Sequence, residues 1–69
     1  MAEVDVNWVR SEINRLGLRW RQEQMAGDLV IASYYDGMMR ALGEVLAAAG
    51  ALGEVEVEAL IAAAKGVEE

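Results

Sequence analysis

A chain of 69 residues allows one domain, and a domain this small buries only about 60% of the surface its unfolded form exposes; without cysteine or histidine, it has neither a disulfide nor the usual structural zinc to reinforce its core. Its formal net charge of −6 excludes the basic footprint that displaces counterions from phosphates, so direct binding of DNA or RNA is not expected. An apolar fraction of 55% is more than so small a body hides within one copy, which points to self-association.

The first expected element is a helix over residues 6–26. Asp5 is placed to cap it, and Val4 and Val9 sit where a hydrophobic staple would. At about 100° per residue, Val9, Ile13, Leu16, Trp20 and Gln24 share a narrow arc. Gly17 interrupts the pattern at a cost of only about 1 kcal/mol relative to Ala. Arg10 and Arg21 flank one edge of this arc, and Arg15 and Arg19 lie beyond the other. Leu18 and Met25 point away from it, among Ser11, Asn14 and Gln22, as a thinner apolar strip suited to a subunit contact.

Residues 26–37, AGDLVIASYYDG, admit two readings. As a β-hairpin, residues 18–24 and 29–35 would be strands around a Gly-containing turn. As a helical hairpin, Gly27 ends the first helix and Asp28 caps a second over residues 28–49. The second reading is preferred because one helical period runs unbroken from Ile31 to Ala49. Ile31, Tyr34, Tyr35, Met38, Leu42, Val45, Leu46 and Ala49 fall in one arc, with Ser33, Asp36, Arg40 and Glu44 opposite. That arc is roughly 120° wide, more than the stripe of about 100° that one neighbour covers. Ala32, Gly43, Ala47 and Gly50 form a small-residue border that permits close helix approach.

Gly50 is the expected stop of the second helix, and a third is expected over residues 54–65. Its early carboxylates favour the positive end of the helix dipole, Val57, Leu60, Ile61 and Ala64 form its apolar face, and Gly66 ends it. The tail, Val67 to Glu69, is expected to fray. The expected fold is therefore all-α, a helical hairpin plus a short C-terminal helix, as one domain over residues 1–69 in a small oligomeric bundle.

Acidity is concentrated late: residues 1–40 hold five Arg against six acids, and residues 41–69 hold Lys65 against six Glu. No stretch is apolar for long enough to span a bilayer, and MAEVDVNWVR lacks the basic-then-apolar pattern of a secretion signal, so a soluble, cytoplasmic protein with no membrane partner is expected.

Catalytic candidates are few. With no His or Cys there is no Ser-His-Asp or Cys-His centre, and Ser11 and Ser33 have no activating base nearby in sequence. Glu54 and Glu58 share a helical face but have the spacing of ordinary solvated carboxylates. No enzyme, cofactor or metal is expected. The leading expectation is a non-enzymatic protein–protein interaction module: a homodimer or higher homo-oligomer acting as adaptor, inhibitor or assembly component, with another protein as a further partner. Its expected interface comprises Leu18, Met25, Tyr35, Met38, Met39, Leu42 and Leu46, the methionines suiting an adaptable contact. One alternative is an anionic, nucleotide-like ligand held at a subunit interface by Arg15, Arg19, Trp20 and Arg21 through stacking and guanidinium contacts. Another is a nucleic-acid mimic that presents Glu54, Glu56 and Glu58 to a basic groove.

Overall fold

The computed structural model describes residues 4–66, over which the chain forms three helices and no strand. Helix α1 runs Val6–Ala26, α2 runs Leu29–Ala48 and α3 runs Glu54–Ala64. Residues 18–24 and 29–35 are helical, so the β-hairpin alternative does not hold. The expected fraying of residues 67–69 lies outside the described residues.

Each boundary has a local cause. The Asp5 carboxylate accepts the Trp8 amide at 3.0 Å and starts α1. Gly27 ends it with φ of 83°, a left-handed conformation that glycine adopts without a β-carbon clash. The amides of Gly27 and Asp28 then turn back onto the Gln24 and Glu23 carbonyls. Asp28 closes the end of α1 with its amide and opens α2 with its side chain, accepting the Ile31 amide at 3.1 Å. A two-residue link thus forces α1 and α2 antiparallel. At the start of α3 the Glu56 side chain accepts the Gly53 amide at 3.2 Å.

The core lies where the three helices meet. Val9, Ile13 and Leu16 of α1 pack with Met39 and Leu46 of α2 and Val57, Ile61 and Ala64 of α3. Ile13, Leu16, Met39 and Leu46 are the largest fully buried side chains, each contributing about 1.5–3 kcal/mol through burial. Two glycines let α3 settle close. A β-carbon at Gly17 would overlap the backbone of Ala64, and one at Gly43 would stand 2.5 Å from Val57 Cγ1.

The broad arc expected on α2 is split between two environments. Tyr35, Met39, Leu42 and Leu46 turn towards the core with Ala32 and Gly43. Ile31 and Val45 of the same arc, and Tyr34, expected as a core aromatic, remain 41%, 42% and 64% exposed. The cause is the seat of α3, which packs on the opposite border of α2 over Gly43, and thereby turns the buried face away from Ile31 and Tyr34. The small-residue border divides too: Ala32 and Gly43 pack within the chain, Ala47 is half-buried, and Gly50 lies exposed in the turn.

Candidate functional site

On the solvent side of α2, Ile31, Tyr34, Met38, Ala41, Val45 and Ala48 follow one another at spacings of three, four, three, four and three. This is the alternation that keeps one seam of a helix facing a partner helix. Met38 is half-buried and the other five are exposed, so the seam is available in one copy. Val30, also exposed, extends its N-terminal end. The seam is uncharged from end to end, and among the described residues no other helix covers it.

The expected interface residues divide into three groups. Met39 and Leu46 are sealed in the core of a single copy. Tyr35, Met38 and Leu42 are half-buried at the border between core and seam, where Tyr35 meets the Tyr34 ring edge-on at 5.7 Å between centroids. Leu18 and Met25, 48% and 90% exposed, stand on the outer face of α1. The heptad spacing was present in the sequence, but Ile31, Tyr34, Met38 and Val45 belong to an apolar arc that also holds core residues, and only the position of α3 separates the two.

The edge of α1 beside the seam carries charge. Glu12, Arg15, Arg19 and Glu23 follow one another along it at spacings of three and four. Arg15 donates to Glu12 at 2.6 Å, and this hydrogen bond holds the Glu12 carboxyl below its ordinary value. Among the described residues, Arg19 takes part in no ion pair.

The four groups considered for an anion do not converge. Arg15 is committed to Glu12, and Arg19 stays on the same edge. Trp20 turns towards α3, where the Lys65 ammonium lies 4.8 Å from its ring centroid. Arg21 is also on that side, close enough that a β-carbon at Gly66 would stand 3.1 Å from its Cδ.

A second polar cluster joins α2 to α3. Asp36, expected on the solvent side, receives the Lys65 ammonium on Oδ1 and the Arg40 guanidinium at 3.2 Å on Oδ2. Arg40 continues to Glu58 at 3.1 Å. Lys65 and then Arg40 hold the Asp36 carboxyl below its ordinary value against the opposing effect of burial. Lys65 is thus fixed between a carboxylate and an indole face, and the cluster clamps the end of α3 onto the hairpin. Nothing in the sequence pattern paired Asp36 with a residue 29 positions away.

The carboxylates of α3 serve separate ends: Glu56 caps its own helix, Glu58 meets Arg40, and Glu54 rims a groove of about 300 Å³ between α2 and α3. That groove is floored by Gly43 and Val57 and also rimmed by Arg40, Glu44 and Glu58. Among the described residues no cluster of His, Cys, Asp or Glu is arranged to hold a metal ion, and no helix is long and apolar enough to cross a membrane.

Comparison with known proteins finds no matching family model, no matching curated protein and no matching solved structure.

Proposed function

We propose that this protein is a non-enzymatic interaction module that self-associates through the outward face of α2, and that it acts as an adaptor or assembly component in that form. The observation carrying the proposal is the uncharged heptad seam from Ile31 to Ala48, left uncovered by the described residues, whose core is already closed on the other side of the same helix. Removing such a seam from water stabilises an assembly by about 25 cal/mol for each Å² of apolar area. The polar features support the same reading. The cationic and carboxylate groups between α2 and α3 neutralise one another, and the residues considered for an anionic ligand face different ways.

The test is sedimentation equilibrium over a concentration series. The wild-type chain is expected to approach a dimer, twice its 7.5 kDa. Tyr34→Arg and Val45→Arg, at exposed positions, are expected to give monomers with an unchanged far-ultraviolet circular dichroism spectrum. A 7.5 kDa species at every concentration of the wild-type chain would overturn the proposal.

A further inference from the structure

Taking self-association through α2 as its starting point, we infer that two copies pair with their α2 helices antiparallel about a twofold axis, and that the α1 helices above them are joined by reciprocal Glu12–Arg19 ion pairs.

The seam is self-complementary in one direction only. Its N-terminal half holds the larger side chains Ile31, Tyr34 and Met38, and its C-terminal half the smaller Ala41, Val45 and Ala48. An antiparallel register seats Met38 against Ala41, Tyr34 against Val45 and Ile31 against Ala48 of the second copy. Each bulky group then meets a small one, as close packing requires. A parallel pair would set Tyr34 against Tyr34 and leave Ala41 facing Ala41 across a gap.

Charge supports the same arrangement. The tight turn at Gly27 and Asp28, with equal rise along both helices, sets Arg19 level with Asp36 and Glu12 level with Gly43. The antiparallel register places Asp36 of one copy level with Gly43 of the other. Arg19 therefore comes opposite the second copy's Glu12, and the twofold axis repeats the contact. The facing edges are those of α1 that border the seam, away from α3. Arg15 lies nearer the axis and donates to its own Glu12, so the Glu12 carboxylate is shared between Arg15 and the second copy's Arg19.

A stable pair needs about 800 Å² from each copy, roughly a sixth of the 4851 Å² that one chain exposes. Together, the whole length of α2 and one edge of α1 present a face about 30 Å long.

The native chain has no cysteine, so introduced thiols report the register without background. Chains carrying Tyr34→Cys are mixed with chains carrying Val45→Cys and oxidised, beside each variant alone. The expected product is a disulfide-linked dimer in the mixture, with little from either variant alone. Self-linking of Tyr34→Cys chains would overturn the antiparallel direction, and a dimer mass without any cross-link would overturn the register, both leaving self-association standing. A monomeric mass for the wild-type chain would remove the premise as well. For the ion pairs, Glu12→Arg and Arg19→Glu are each expected to weaken dimerisation about tenfold, and the double variant to recover most of that loss. If the two losses instead accumulate, the pairing is wrong.

Discussion

The backbone of Gly17 lies directly against that of Ala64, so α1 and α3 cross at a separation that admits no side chain at position 17. Replacing this glycine should invert the usual helix preference. Gly17→Ala gains about 1 kcal/mol of propensity but is expected to lose about 1–3 kcal/mol net through overpacking, because the obstructing atoms belong to backbone. Gly37→Ala, with nothing within 4 Å of its new carbon, should stabilise by up to about 1 kcal/mol. Gly43→Ala should fall between them, since Val57, which it meets, can rotate. Urea titrations would show the ranking, and equal effects at the three sites would contradict it.

The same glycine shows how far the sequence was legible. Periodicity and punctuation located all three helices, because Asp5, Gly27, Asp28 and Gly50 act within a few residues of the ends they define. Gly17 read only as a cost, since the contact that needs it comes from residue 64. Tyr34 was misplaced for a related reason: a wheel gives the width of an apolar arc but not which part a neighbour covers. That choice depended on where α3 docks, which is governed by Gly43 and by the Asp36–Lys65 pair. Neither signal has a period to detect.

Asp36 should give stability a dependence on pH. Its folded-state pKa lies below the unfolded value of about 3.9. Its contribution is therefore present in full above that value and lost as pH falls through the lower folded one. Compared with Asp36→Asn, the wild-type advantage measured by urea unfolding should be steady from pH 7 to about pH 5 and shrink below pH 4. At neutral pH the variant should cost about 1–3 kcal/mol, because Lys65, only 15% exposed, loses the partner that offsets its burial. A constant difference down to pH 2 would show that the pair does not stabilise the fold.

The turn offers a separate check on local structure. Asp28→Ala removes the acceptor of the Ile31 amide and should cost about 1 kcal/mol, whereas Asp28→Asn keeps an oxygen there and should cost much less. Gly27→Ala forces a β-carbon into φ of 83° and should cost about 1–2 kcal/mol. Thermal melts of the three variants, at one fixed protein concentration, should order them accordingly. A loss in Asp28→Asn equal to that in Asp28→Ala would show that the cap contributes nothing as a hydrogen bond.

Leu18 and Met25 distinguish two ways of assembling the same helices. Both stand on the face of α1 turned away from the core, well round the helix from the charged edge that borders the seam. One twofold contact centred on α2 cannot cover them. If that contact accounts for the dimer, Leu18→Ser together with Met25→Ser should leave the sedimentation mass unchanged. Folded stability should move by no more than about 0.5 kcal/mol, as expected for exposed positions away from packing. Tyr34→Arg at the same concentration should dissociate the pair. The reverse result, dissociation by the α1 substitutions and a persistent dimer with Tyr34→Arg, would transfer the interface to the outer face of α1. Loss of mass in both variants would mean that two surfaces are engaged, which requires an assembly larger than a dimer.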